Sequence, residues 1–330
     1  MKLKYDNDAD LAILDGKTVA VIGYGSQGRS QALNLRDSGV KVIVGVRMDG
    51  PSCNQAKEDG FSVYSFAEAA KRGDIIHILL PDEHHGPVYN ESIRPNMKPG
   101  AALSCSHGFN IIYKEVVPPA DSDVIIVAPK GPGSEVRRVF LSGFGLPGLY
   151  GAHQDVSGKA KEIALAMCKA EGLTRAGCLE CTFEEETYED LFGEQAVLCG
   201  GCVELVKTGF EVLTEAGYPG EMAYFEVLHE LKLIVDLLYE RGIQGMNEVI
   251  SNTAEWGEYS TGPKIIDAGT KERMREALKR IESGEFAREF INEMRANGGR
   301  NIKAKRAALA AHPIEIVGKD IRKMFIKKSN

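Results

Sequence analysis

At 330 residues, 43% hydrophobic and 26% charged, the chain is long enough for two domains with sizeable cores and does not have the composition of a disordered polypeptide. Its net charge of −7 argues against nucleic acid as a main partner. No apolar run approaches the ~18 to 20 residues of a membrane span, and Met1 to Asp10 is too acidic and polar for a signal peptide, which points to a cytoplasmic protein without a membrane partner.

The first half alternates short β-rich runs with helical patterns. Thr18 to Ile22, Val40 to Val44, Ile75 to Leu80, Ala101 to Ser104 and Val124 to Ala128 are mostly continuous apolar runs, as expected for parallel strands buried on both faces. Helical patterns cover Gln27 to Asp37, Phe66 to Lys71, with Ser65 placed to cap it, and Lys159 to Glu171. This is the pattern of an α/β, doubly wound sheet.

Directly after the first run stands Gly23-Tyr24-Gly25-Ser26-Gln27-Gly28, leading into a helix. In a G-x-G-x-x-G so placed, the first glycine permits a tight turn and the second lets backbone approach a pyrophosphate. The third lets helix and strand pack closely, and the helix N-terminus faces the anion. The placement predicts a nicotinamide dinucleotide as cofactor. Past the second run, Arg47, Asp49 and Ser52 give conflicting signals for its 2′ position. Arg47 can stack on adenine with either cofactor, Ser52 can bind phosphate or cap the next turn, and Asp49 would repel a 2′-phosphate. The balance favours NADH or dual use with NADPH.

After about Thr182 strand signals stop. Amphipathic stretches follow at Glu184 to Leu191, Glu194 to Ala216, Glu221 to Arg241 and Gln244 to Asn252, then basic helices such as Lys271 to Ile281 and Glu285 to Arg295, with Gly217 to Gly220 and Thr261 to Pro263 as punctuation. The expected organisation is a dinucleotide-binding domain over residues 1 to 181 and an all-helical one over 182 to 330. From Lys264 to Asn330 there are 17 Lys/Arg against 9 Asp/Glu, of mixed sign along the helices, which reads as a solvated or packing face.

Between Ala176 and Leu231 the balance is opposite: thirteen carboxylates and one base, Lys207. Asp190/Glu194 and Glu226/Glu230 are helix-spaced pairs, which repel by roughly 0.2 to 0.5 kcal/mol each unless neutralised. A hard divalent cation such as magnesium is one answer, a solvated acidic face the other. Seven cysteines without a secretory signal fit reduced thiols. Cys178, Cys181, Cys199 and Cys202 match a zinc spacing, but the acidic, helix-like segment between the pairs favours free thiols.

Seven ordered motifs closely resemble the ketol-acid reductoisomerases (acetohydroxyacid isomeroreductases) of the short, class I form. They are GYGSQG at 23–28, PDEH at 81–84, SHGF at 106–109, APKGPG at 128–133, EDLFGEQ at 189–195, FEVLHELK at 225–232 and ISNTAEWGEY at 250–259. The resemblance implies a magnesium-dependent alkyl migration in 2-acetolactate or 2-aceto-2-hydroxybutyrate, then reduction by NAD(P)H, in valine and isoleucine biosynthesis. It implies two magnesium ions held by Asp190, Glu194, Glu226 and Glu230, with Glu230 also able to transfer a proton. It implies a catalytic His107, Lys130 beside the metals, Ser251 on the substrate carboxylate, and cofactor contacts from residues 23 to 28, Arg47, Asp49, Ser52, Asp82, His85 and Gly133. The family more often carries Gln where His85 stands and a histidine-containing run where Arg29, Ser30 and Gln31 stand. It also implies a knotted helical domain and a homodimer, possible as the unit of a larger assembly, in which Glu226, Glu230 and Ser251 come from the partner. Glu184, Glu185, Glu186 and Glu189 fall outside that ligand set and read as surface charge. Two other classes share parts of this pattern: a metal-free Rossmann dehydrogenase of small hydroxy acids, and a non-catalytic dinucleotide-sensing module.

Overall fold

The structure, a computed structural model, describes residues 2 to 325. The chain divides into two compact units, Met1–Glu189 and Asp190–Asn330.

The first unit is a doubly wound sheet. Its strands are β1 (Thr18–Ile22), β2 (Lys41–Gly45), β3 (Ser62–Tyr64), β4 (Ile75–Ile78), β5 (Ala102–Cys105), β6 (Val124–Pro129), β7 (Gly148–Gln154) and β8 (Cys178–Glu180), in the spatial order 3-2-1-4-5-6-7-8. Neighbours are parallel except β6 and β7. Helices α1 (Ser26–Asp37), α2 (Pro51–Glu58), α3 (Phe66–Arg72), α4 (Asp82–Val88), α5 (Phe109–Ile112), α6 (Gly133–Leu141) and α7 (Ala160–Ala170) connect them. Alternate residues of one strand go to opposite cores: Val19 and Val21 join Val44, Ile125 and Met167 on one face, while Ala20 and Ile22 join Ile76, Ile78 and Ile126 on the other. Burial on both faces is why these strands read as unbroken apolar runs. Chain order reverses direction between β1 and β4, so the crevice at the carboxyl ends of those strands is where such sheets take a dinucleotide.

Each of the five expected strands is present within two residues of its expected ends, and Ser65 caps α3 by accepting from the Glu68 N–H at 3.3 Å. The sequence pattern missed β3, β7 and β8 and the helices α2, α4, α5 and α6. β7 carries glycines for steric reasons that hide its strand character: a Cβ on Gly151 would lie 2.0 Å from the Cys181 carbonyl oxygen.

Helix α8 (Phe183–Gly193) leaves the first unit and its last turn opens the second. It starts with a capping box, since the Thr182 N–H donates to the Glu185 carboxylate (2.8 Å) and the Glu185 N–H to Thr182 Oγ1 (3.1 Å). The second unit continues with α9 (Gly200–Glu215), α10 (Gly220–Tyr224), α11 (Glu230–Asn247), α12 (Asn252–Ile265), α13 (Ala268–Glu282), α14 (Glu285–Arg295), α15 (Arg300–Ala310) and α16 (Pro313–Phe325), with no strand among its described residues. Two of the expected helices contain a π turn, Glu194–Leu198 and Phe225–His229. Gly217, at φ 90°, breaks the chain as expected, whereas Thr261 to Pro263 lies inside α12. Pro263 removes one intrahelical N–H near the end of α12, two residues before the helix stops at Ile265. A small core of Val206, Phe210, Ala223, Tyr224, Ile314 and Ile321 holds α9, α10 and α16 together.

Candidate active site

The glycine loop divides its labour as the spacing predicts. Gly23 has φ 101°, and a Cβ there would be 2.7 Å from the Leu79 carbonyl oxygen. A Cβ on Gly28 would be 2.4 Å from the Gly23 oxygen, so α1 packs directly on the turn. Gly25 faces open space and forms the N-cap of α1 without a side-chain cap, leaving that N-terminus open to an anion. Ser26 begins α1 and abuts Gly133, where a Cβ would meet its backbone oxygen at 2.5 Å. The Tyr24 ring is buried against Phe61 and its hydroxyl donates to Asp59 (2.8 Å), so what it can offer a cofactor is backbone. Gln27 donates to the Gly131 carbonyl at 3.0 Å.

Arg47 and Asp49 are exposed between β2 and α2, and Ser52 lies in the first turn of α2 behind Gly50 and Pro51. A helix N-terminus so close to an acidic side chain explains the conflicting signals of this loop: the dipole favours a phosphate and Asp49 opposes it. On α4, Asp82 accepts from Asn110 Nδ2 at 2.9 Å. His85 is 5% exposed with Nε2 2.8 Å from the Leu80 carbonyl oxygen, and burial lowers its pKa. Its neighbour His84 is the exposed histidine of this turn.

His107 and Lys130 follow β5 and β6, and both converge on a residue taken for surface charge. Glu186 is 1% exposed. Its carboxylate lies 3.1 Å from His107 Nδ1, accepts from the Gly108 N–H at 2.8 Å and from Lys130 Nζ at 3.3 Å. Burial would raise the Glu186 carboxyl, but the His107 hydrogen bond, the His107 and Lys130 charges and the Gly108 N–H together hold it below the ordinary carboxylate value. Room for this exists because residue 108 is glycine: a Cβ there would meet Thr187 Oγ1 at 2.3 Å. The signal that reveals Glu186 is helical phase. Phe183, Glu186, Thr187 and Leu191 form the buried stripe of α8, while Glu184, Glu185 and Glu189 are exposed.

One turn beyond Glu186 on α8 is Asp190, and ligand atoms of His107, Glu186 and Asp190 lie within 4.8 Å of one another. Among the described residues this is the one group of three or more such side chains close enough to hold a metal ion. Of the four carboxylates expected to converge, it contains only Asp190. Glu194, Glu226 and Glu230 are exposed, Glu194 as the first and Glu226 as the second residue of a π turn and Glu230 just after one. Such turns are frequent at functional sites. Ser251 caps α12, accepting from the Ala254 N–H at 3.2 Å. The seven cysteines are free thiols and none joins a metal group.

Comparison with known proteins follows the same division of the chain. The acetohydroxy acid isomeroreductase, NADPH-binding domain matches residues 13–177, and the ketol-acid reductoisomerase, C-terminal domain matches 183–327. A ketol-acid reductoisomerase (NADP(+)) of Akkermansia muciniphila is 66% identical over 98% of this chain and 99% of its own length. A ketol-acid reductoisomerase (NAD(+)) of an uncultured archaeon is 55% identical, covering 99% of this chain and all of its own. The solved structure of an NADH-preferring ketol-acid reductoisomerase from an uncultured archaeon superposes with a TM-score of 0.96 at 55% identity, covering 99% of this chain and 100% of that one. With both domains matched and relatives this similar along nearly the whole chain, the protein belongs to the ketol-acid reductoisomerase family.

Proposed function

We propose the following division of labour for the isomeroreductase reaction that family membership gives this chain. The observation that carries it is the buried Glu186 carboxylate, shared by His107, Gly108 and Lys130 and one helical turn from Asp190. Glu186 holds the two cationic or cationisable groups in place. Lys130 supplies fixed positive charge beside the carboxylates, and His107 is the proton-handling group at the end of β5. Two carboxylates and an imidazole clustered in this way suit a divalent cation. Asp190 and Glu194 would hold magnesium on one side, and Glu226 and Glu230 on the other, with Ser251 on the substrate carboxylate. Magnesium, when bound, polarises the ketone and holds the ionised hydroxyl, the electron pull that alkyl migration needs. Glu230, beside it, can take and return the hydroxyl proton.

The cofactor is a nicotinamide dinucleotide on the loop of residues 23 to 28, and we read it as NADH or either cofactor, because Asp49, exposed just past β2, would repel a 2′-phosphate. Relatives named for NAD(+) and for NADP(+) both stand close to this chain, which suits dual use. We set the domain boundary at 181/182, between the family stretches 13–177 and 183–327 and ahead of α8, although the compact units divide later, within α8; the helical domain is the knotted one, paired in a homodimer whose sites are shared. The exposed positions of Glu226, Glu230 and Ser251 support that reading, as do large exposed apolar side chains such as Tyr239 (86%) and Trp256 (70%). Among the described residues no helix is long and apolar enough to cross a membrane, and we place the enzyme in the cytoplasm.

Oxidation of NADH and of NADPH with 2-acetolactate, each with magnesium and with EDTA, tests this function. Turnover with magnesium and none with EDTA is expected, with NADH used at least as well as NADPH. Activity surviving EDTA would sink the two-metal reading in favour of a simple dehydrogenase, and a strong NADPH preference would overturn the weight given to Asp49.

A further inference from the structure

Helix α1 does more than present its N-terminus to a dinucleotide. Two glutamines one turn apart, Gln27 and Gln31, reach the loops that carry His107 and Lys130. Gln27 Nε2 donates to the Gly131 carbonyl, next to Lys130, at 3.0 Å. Gln31 Nε2 lies 3.0 Å from Gln27 Oε1 and 3.1 Å from Ser106 Oγ, next to His107. At the other end of the Gln31 amide, Oε1 is 2.8 Å from His77 Nε2 and 3.2 and 3.3 Å from the two Glu171 carboxylate oxygens. His77 Nδ1 in turn faces Ser104 Oγ on β5 at 2.8 Å. Gln31, His77 and Glu171 are at most 1% exposed, so water cannot substitute for the bonds among these three.

The pairing admits one consistent direction. An ionised Glu171 would set bare oxygens against Gln31 Oε1. Turning the Gln31 amide relieves that clash but places its oxygen 3.0 Å from Gln27 Oε1, and turning Gln27 then sets an oxygen against the Gly131 carbonyl. A protonated Glu171 removes the conflict without turning anything. Glu171 and His77 Nε2–H donate to Gln31 Oε1 and occupy both its lone pairs, so Ser106 Oγ, 3.2 Å from Oε1 and 3.1 Å from Nε2, accepts from Nε2; Gln31 also donates to Gln27, Gln27 to Gly131, and Ser104 to His77 Nδ1. Burial acts in the same direction, raising the Glu171 carboxyl well above its ordinary value and lowering His77 to about 3, so it pushes both toward their neutral forms.

We propose that Glu171, Gln31 and Gln27 form a hydrogen-bond relay of fixed direction that sets the His107 and Lys130 loops from the dinucleotide-binding helix, making Gln31 and Glu171 positioning residues of the reaction. The relay ends at Ser106 Oγ and the Gly131 carbonyl, one residue from each active-site side chain. Cofactor seating and placement of those side chains therefore depend on one rigid element. Neither Gln31 nor Glu171 touches a reacting atom, so their loss acts on kcat and leaves cofactor binding in place.

The test uses the full-length enzyme with magnesium, cofactor and 2-acetolactate, and compares Glu171→Gln, Glu171→Met and Gln31→Met. Glu171→Gln still donates to Gln31 Oε1 and should keep kcat within about twofold. Glu171→Met and Gln31→Met should lower kcat about tenfold or more, as expected for a displaced catalytic loop, with the KM for cofactor within about twofold. The imidazole nitrogen NMR signals of His107 should move in Gln31→Met and stay in Glu171→Gln, a change that simple loss of core stability would not produce. Glu171→Gln as damaging as Glu171→Met would overturn the relay's direction, and a folded Gln31→Met with unchanged kcat and unmoved His107 signals would overturn the relay itself. Should Gln31→Met fail to fold, the two Glu171 variants decide the matter.

Discussion

The two units of this chain are finished to different degrees. In the first, each active-site group is held by its own unit: Glu186 anchors His107 and Lys130, and the sheet buries both faces. In the second, the core is small, the expected ligands Glu194, Glu226 and Glu230 face solvent, and Leu198, Tyr239, Ile243 and Trp256 are each more than 65% exposed. Exposed apolar area on that scale marks a surface made to be covered. The first unit therefore carries its own core and the buried Glu186 cluster, whereas the second presents the apolar surface that the proposed homodimer would cover.

Breaking the second unit's surface should have the largest effect. Trp256→Asp would place a carboxylate in the covered surface, at a cost of about 2 to 4 kcal/mol as for interface hot spots. Sedimentation should show monomers at micromolar concentration, and turnover should fall with them. A dimeric, active Trp256→Asp would remove the contrast between the units.

A smaller loss is expected inside the first unit. Glu186→Gln keeps the side chain's size but removes the charge that Lys130 and His107 share, and kcat should fall about a hundredfold while the protein remains dimeric. Full activity in Glu186→Gln would return Glu186 to the solvated face on which its neighbours lie.

The smallest effect concerns stability alone. Asp59 accepts from Arg29, Tyr24 and Gln55, and those bonds, that of Arg29 first, hold its carboxyl down to about 2 despite partial burial. A depressed carboxylate stabilises the fold above its unfolded pKa of roughly 3.9 and loses that contribution as pH falls through about 2. Arg29 is half exposed, so the bridge contributes only about 1 kcal/mol. Thermal melts of Asp59→Asn should lie a few degrees below the parent at pH 7, converge with it near pH 2 and not depend on protein concentration.

Much of the first unit was legible because its signals are local. A strand buried on both faces is an apolar run, and the glycines at 23 and 28 are required by contacts within a few residues or with the adjoining strand end. Glu186 was hidden in a run of acidic residues, since composition cannot separate it from Glu184 or Glu185; the helical phase set by Phe183, Thr187 and Leu191 could have done so. β7 was missed because its glycines answer a neighbouring backbone rather than strand propensity. The π turns at Glu194 and Phe225 have no periodic signature, because one such turn only shifts the phase of an otherwise helical pattern. The expectation that Glu226 and Glu230 converge on a metal came from family resemblance, as no spacing within one chain would specify a partner's residue.

The central claim, a site completed across two copies, is tested most directly by combining two inactive variants. Asp190→Asn and Glu230→Gln, produced separately, should each lack magnesium-dependent turnover. Co-expressed so that their subunits pair at random, they should recover roughly one quarter of the parent's activity, because half the dimers are mixed and each mixed dimer regains one intact site. If both carboxylates served the same chain's site, every subunit in the mixture would still carry one defect, and no activity would return.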